Sequence, residues 1–272
     1  MKKYQMVVSD FDGTLFRSDH TISEKSKERI NTFVESGGVF AIATGRNLQS
    51  ILPIARGLGL KGVMACSNGA AIVDIESGKL IFEKKHTVQD TYEICKILED
   101  LGIYTQVFDF EKYYAKEPCE YLEIYQKITA IKPCFTGKPI SEFVKENSVD
   151  SVKILCIIEE SKRDELLEKI KDLTKDRFYL TSGLKYFIEI CPKGVSKGAA
   201  VEFLADYYNI NIESVIAVGD GLNDLPMLEA AGLGLAVKNA ETALKEAVEV
   251  FPYTNDENAV ARIIEQYALK EM

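Results

Sequence analysis

The chain has 272 residues, 46% of them hydrophobic and 28% charged, with a formal net charge of -9. That apolar share supports a buried core and excludes a disordered chain, and the length suits one large domain or two smaller ones. The acidic balance disfavours nucleic acid and anionic membranes as partners, yet a small phosphorylated ligand can be held by local positive charge.

The first third alternates strand and helix signals. Tyr4–Ser9 is a short apolar run that predicts a buried strand. A helix follows over Ser23–Val34, with Ser23 as N-cap and Gly37-Gly38 as its stop. Val39–Ala43 predicts a strand, Asn47–Gly57 a helix and Gly62–Cys66 a third strand. This βαβαβ rhythm implies a parallel sheet covered by helices. Ala70–Asp74 and Leu80–Lys85 flank Glu76-Ser77-Gly78 and predict a hairpin.

The middle changes character. Helices are predicted over Val88–Leu101, Pro118–Thr129, Ile140–Lys145 and Arg163–Leu173. Strands are predicted over Tyr104–Asp109, Tyr113–Ala115, Val152–Glu159, Phe178–Thr181 and Phe187–Ile190. The last third returns to βα alternation: Ser196–Tyr208 helix, Val215–Val218 strand, Leu225–Ala231 helix, Leu233–Val237 strand, Glu241–Ala247 helix and Asn258–Ala268 helix. The simplest architecture is a doubly wound α/β core made from residues 1–85 and 186–272, interrupted by an α+β cap over 86–185.

The six cysteines are scattered, with no CxxC pair and no Cys/His cluster of metal-ligand spacing. Reduced, mostly buried thiols are expected. The apolar piece at the start is too short for a signal-peptide core, and no stretch is long enough to cross a bilayer. A cytoplasmic location is expected.

Four segments could carry chemistry. Asp10-Phe11-Asp12-Gly13-Thr14-Leu15 directly follows the first strand, and ligands of open α/β sheets bind beyond the carboxyl ends of strands. Two close carboxylates repel unless a cation intervenes, although a solvated acidic turn would read the same in isolation. Thr44-Gly45-Arg46 follows the second strand. Its hydroxyl, flexible backbone and guanidinium suit phosphate oxygens, helped by the amides of the next helix. Lys197, in Gly194-Val-Ser-Lys-Gly198, sits in the first turn of a helix, where a cation opposes the helix dipole unless an anion is near. Gly219-Asp220-Gly221-Leu222-Asn223-Asp224 gathers hard oxygen ligands suited to magnesium, though an Asx turn with a helix cap would also fit. Each segment has a plain structural explanation alone. Together they converge on one mouth of one core.

As an ordered set these motifs resemble the haloacid dehalogenase superfamily, in its Cof-type, sugar-phosphatase-like branch. Ser67-Asn68-Gly69-Ala70 also resembles a segment of that branch. The resemblance implies a Rossmann-like core with a cap of the C2B type inserted between the second and third motifs. It implies Asp10 as nucleophile and Asp12 as acid/base. It implies Mg2+ held by Asp10, the Asp12 carbonyl and Asp220, with Thr44, Lys197 and Asn223 on the phosphate and the Gly45 and Phe11 amides nearby. Asp224 would hold Lys197 or metal-bound water, and Arg46 would contact substrate or brace the site. The expected activity is hydrolysis of small phosphate monoesters, sugar phosphates or related metabolites, by a monomer or weak homo-oligomer. A phosphomutase and a non-catalytic sugar-phosphate binder are the competing readings. Asp12 disfavours a dehalogenase, and the lack of spans excludes a P-type ATPase. Tyr113, Tyr114 and Lys185 are cap candidates for selecting the leaving group, with core or surface roles as the plainer reading. His20 and His86 lack partner sets for catalysis.

Overall fold

The computed structural model describes residues 3–183 and 186–269. In chain order the elements are β1 Met6–Ser9, α1 Glu24–Glu35, β2 Val39–Ile42, α2 Leu48–Gly57, β3 Val63–Cys66, β4 Ala71–Asp74, β5 Leu80–Glu83 and α3 Val88–Asp100. Then come β6 Tyr104–Phe108, β7 Tyr113–Ala115, α4 Glu120–Thr129, β8 Cys134–Phe135, α5 Ile140–Asn147, β9 Lys153–Ile157, α6 Arg163–Thr174, β10 Tyr179–Thr181 and β11 Phe187–Cys191. The chain closes with α7 Lys197–Tyr207, β12 Val215–Gly219, α8 Leu225–Ala230, β13 Leu233–Ala236, α9 Thr242–Ala247, β14 Glu249–Val250 and α10 Ala259–Ile263.

The core sheet has the order β14-β13-β12-β1-β2, with every pair parallel. Its interior strand Met6–Ser9 is buried along its whole length, as expected of a strand covered by helices on both faces. Helix starts are set by short polar side chains. Ser23 caps α1, Asn47 caps α2 and Ser196 caps α7, each accepting a backbone N–H of the first turn. A bridge from Ala43 to Ala65 links this sheet to the antiparallel β3-β4-β5 hairpin sheet.

The cap has its own six-stranded sheet, ordered β10-β11-β9-β6-β7-β8. Period-two alternation decides its two faces. Ile154, Cys156, Ile188 and Ile190 pack against α3, α5 and α6. Leu155, Ile157, Phe187 and Cys191 face the other way, with Phe108, Tyr113 and Tyr125. Strand β11 belongs to this sheet although it follows residue 185. Two strands escape the sequence pattern, β8 and β14, because two residues carry no periodicity. The final helix is also less regular than its amphipathic pattern suggests: after Ile263 it widens into a π-helical turn over Ile264–Ala268. Among the described residues, no helix is long and apolar enough to cross a membrane.

Helix α7 carries Lys197 and packs on α8 through a close backbone approach. A Cβ on Gly198 would sit 2.6 Å from the Pro226 carbonyl oxygen. Gly198→Ala is therefore expected to destabilise the fold by about 1–3 kcal/mol through overpacking. Urea unfolding should show a lower midpoint with an unchanged m-value.

Candidate active site

Three loops leave the core sheet at its carboxyl edge, after β1, β2 and β12, and meet the start of α7 there. Asp10 follows β1, and its N–H donates to the Val218 carbonyl, 2.8 Å away. Its side chain is 7% exposed. Lys197 Nζ donates to Asp10 Oδ1 and to Asp224 Oδ1, both at 2.5 Å. Asp224 Oδ2 accepts the N–H groups of Asp220 (2.8 Å) and Gly221 (2.9 Å). Thr14 Oγ1 donates to Asp220 Oδ1 at 2.7 Å. The turn after Asp12 presses on Asp220 so closely that a Cβ on Gly13, whose φ is +76°, would lie 2.4 Å from Asp220 Oδ2. Only glycine suits that position.

These buried charges perturb one another. Burial raises the Asp10 carboxyl well above its usual range, reinforced by Asp224, Asp220 and Asp12 and opposed by Lys197. Burial also pushes Asp220 up to about 7, with Asp224 adding to it and Thr14 and Lys197 opposing. Burial works against the Lys197 ammonium, but Asp10 and Asp224 outweigh it, so its pKa is raised. Ligand oxygens of Asp10, Asp220 and Asp224 lie within 4.8 Å of one another. Both Asp224 oxygens already have protein donors, so the oxygens open to a cation belong to Asp10 and Asp220. Two desolvated carboxylates that resist ionising together fit a hard divalent cation.

The remaining expected residues divide into two groups. Thr44 lies buried behind β2, and its Oγ1 accepts the Arg46 N–H at 3.1 Å. Asn223 Nδ2 donates to Asn68 Oδ1 at 3.1 Å. Asn68 reaches this place through two successive left-handed residues, Ser67 (φ 51°) and Asn68 (φ 57°), an uncommon conformation for side-chain-bearing residues. Phe11 is fully buried and stacks on Phe16 at 4.6 Å. Arg46 does not point freely into solvent. Its Nε and Nη2 fork onto the two Asp12 oxygens, both at 2.7 Å. Tyr113 stacks on Phe108 in the cap core and Tyr114 donates to Asp109, so neither faces this mouth. Lys185 lies outside the described residues. His20 is exposed, while His86 is buried, with Nε2 at 3.2 Å from the Ile190 carbonyl and a pKa lowered by burial to about 4.

A cavity of about 300 Å³ joins this floor to the cap. The cap side includes Tyr125, Thr129, Lys153, Tyr186, Phe187 and Glu189. Lys153 Nζ bonds Glu189 Oε1 at 2.5 Å and crosses to the Gly45 carbonyl at 2.7 Å. Asn68 Nδ2 donates to Glu189 Oε2 at 2.9 Å. Motif reading missed these residues. The available signal was a charge interrupting each of two apolar strands, Val152-Lys153-Ile154 and Ile188-Glu189-Ile190, because such charges are rarely buried unpaired.

The parallel sheet, its charged carboxyl edge and the separate cap define a capped α/β hydrolase. The chain belongs to the haloacid dehalogenase-like hydrolases, whose family model matches residues 7–264, and within them to the Cof-type branch. A Haemophilus influenzae relative is 32% identical over 97% of this chain and 98% of its own length. The 5-amino-6-(5-phospho-D-ribitylamino)uracil phosphatase YwtE of Bacillus subtilis is 29% identical over 96% of each chain. A solved haloacid dehalogenase-like hydrolase of Bacteroides thetaiotaomicron superposes with a TM-score of 0.82 at 26% identity, covering 97% of this chain and 99% of that one. The protein is an enzyme of the phosphatase class.

The raised carboxyls set a pH dependence. Asp220 is protonated in the metal-free fold up to about pH 7, whereas an unfolded aspartate ionises near about 4. Between those values the folded state binds more protons, so stability falls as pH rises through that window. Thermal melts in a chelator should show this decline. A divalent cation should raise the midpoint more at about pH 8 than at about pH 5.

Proposed function

We propose that the enzyme hydrolyses small phosphate monoesters with Mg2+, through an aspartyl-phosphate on Asp10. The observation that carries this reading is Lys197 bridging buried Asp10 and Asp224 beside Asp220, at the floor of a cavity roofed by the cap. Asp10 and Asp220, with the Asp12 backbone carbonyl, would hold the magnesium ion, whose charge offsets repulsion between carboxylates and phosphate. Thr44, Lys197 and Asn223 hold phosphate oxygens, with the Gly45 and Phe11 amides beside them. Asp224 keeps Lys197 charged and in place.

In the first step an Asp10 oxygen attacks phosphorus in line. The bond to the leaving oxygen breaks, and Asp12 gives that oxygen a proton. In the second step water attacks the aspartyl-phosphate, Asp12 takes a proton back, and inorganic phosphate leaves. Segment 86–185, with β11 added by sheet membership, acts as the cap, excludes water while the aspartyl-phosphate forms and then admits the water that hydrolyses it.

A sugar or sugar-alcohol phosphate is the proposed substrate class. The paired Lys153 and Glu189 offer donors and acceptors to hydroxyls without adding net charge to the wall. Tyr125, buried and without a hydrogen-bond partner for its hydroxyl among the described residues, offers another. The ribityl phosphate in the Bacillus subtilis relative's name is of the same class.

Asp10→Asn is expected to lose activity by roughly 10³-fold or more while the circular dichroism spectrum stays native. Full magnesium-dependent turnover in that variant would remove the nucleophile from the scheme. Release of inorganic phosphate from sugar phosphates, without an isomerised ester, separates hydrolysis from mutase chemistry.

A further inference from the structure

Arg46 has a more specific geometry than a phosphate ligand needs. Its guanidinium lies 5.2 Å from the Phe11 ring centroid and 5.8 Å from that of Phe16. Its Nε–Nη2 edge is occupied by Asp12. Its remaining terminal nitrogen, Nη1, donates to Ser50 Oγ at 3.2 Å. Ser50 Oγ in turn donates to the Thr129 carbonyl at 3.2 Å. Thr129 is the last residue of cap helix α4, which Ala130 ends in a left-handed conformation. Carbonyls in a last helical turn lack helical partners. Ser50 lies in the first turn of α2, fixed there by the Asn47 cap. One hydroxyl thus joins the end of a cap helix to the guanidinium that holds Asp12.

We infer that Arg46 and Ser50 are positioning residues that orient the Asp12 carboxyl when helix α4 of the cap is seated. The inference rests on the proposed acid/base role of Asp12. The fork from Arg46 uses one lone pair on each Asp12 oxygen and fixes the carboxyl plane. Each oxygen keeps a second lone pair to carry the proton toward the leaving group. The Thr129 carbonyl fixes the Ser50 hydroxyl, and the Ser50 oxygen restrains the guanidinium from the side opposite Asp12. When α4 lifts away, Ser50 loses its acceptor and Arg46 gains rotational freedom, so Asp12 is aimed only under a seated cap. This arrangement protects the aspartyl-phosphate step from solvent, because the acid is aligned only when the roof is on.

Leaving-group dependence reads this directly. A sugar alkoxide is strongly basic and needs a proton as it departs, whereas p-nitrophenolate departs without one. The quantity kcat/KM covers steps up to aspartyl-phosphate formation, so it is blind to the second step. The test compares kcat/KM for the sugar phosphate that the wild type turns over fastest with kcat/KM for p-nitrophenyl phosphate, in saturating Mg2+. The ratio of the two is expected to fall by about 10²-fold in Asp12→Asn and Arg46→Lys, and by about 10-fold in Ser50→Ala. Ser50→Ala removes a single hydroxyl, which keeps the test valid if Arg46→Lys folds poorly. If Asp12→Asn lowers both rates equally, the acid role of Asp12 fails and takes the inference with it. If Asp12→Asn shifts the ratio but Ser50→Ala and Arg46→Lys lower both rates equally, or change neither, the positioning role is overturned while Asp12 keeps its role.

Discussion

The Lys197 ammonium sits between Asp10 and Asp224 with almost no access to water. An unpaired charge in such a place would cost several kcal/mol, so each of the three groups depends on the other two. The pairing ties together the exit of β1, the start of α7 and the loop after β12. Asp224 extends it by accepting the Asp220 and Gly221 amides, which shapes the loop presenting Asp220. The close approaches at Gly13 and Gly198 serve the same convergence, since a side chain at Gly13 would push its turn off Asp220 and one at Gly198 would push α7 off α8. One ammonium does not neutralise three carboxylates. Ionising all three together would call for a divalent cation, which in the proposed mechanism would also let the floor accept a phosphate.

The cap reaches the floor through polar contacts. On one side, Lys153 bonds the Gly45 carbonyl and Glu189 accepts from Asn68, which also accepts from Asn223. On the other, Thr129 accepts from Ser50 beside Arg46. Directional contacts of this kind favour one seating of the cap over many, whereas an apolar contact alone would allow sliding. Strand alternation makes the first set possible. The period of two that buries Ile154 and Ile188 against the cap helices turns Lys153 and Glu189 toward the core. The conformational cost at Ser67 and Asn68 is offset by the bonds Asn68 then makes to Glu189, Asn223 and the Cys191 sulfur.

Much of the fold is legible in the sequence, because its signals are contiguous. Val39–Ile42 and Val215–Gly219 are apolar runs of strand length, and Ser23, Asn47 and Ser196 mark helix starts. The short strands β8 and β14 and the π-helical end of α10 were illegible, since two-residue pairings and a widened turn depend on neighbours rather than on local pattern. The cap's edge was blurred for the same reason, as β11 joins β9 across a distance in sequence that no window spans.

The sequence by itself determined the βα rhythm, the interrupting cap and the four charged segments at strand exits or helix starts. Those features are written in runs of a few residues, and backbone geometry carries them to one edge of the sheet. Only the tertiary structure decided which charges meet. Lys197 lies 187 residues from Asp10, and Arg46 lies 34 from Asp12. Desolvation in the packed interior decides whether such groups pair, shift their ionisation or face a ligand. That is why Asp10 and Asp12, alike as neighbours in the chain, end in unlike surroundings: one buried on a lysine, the other held at the cavity by an arginine.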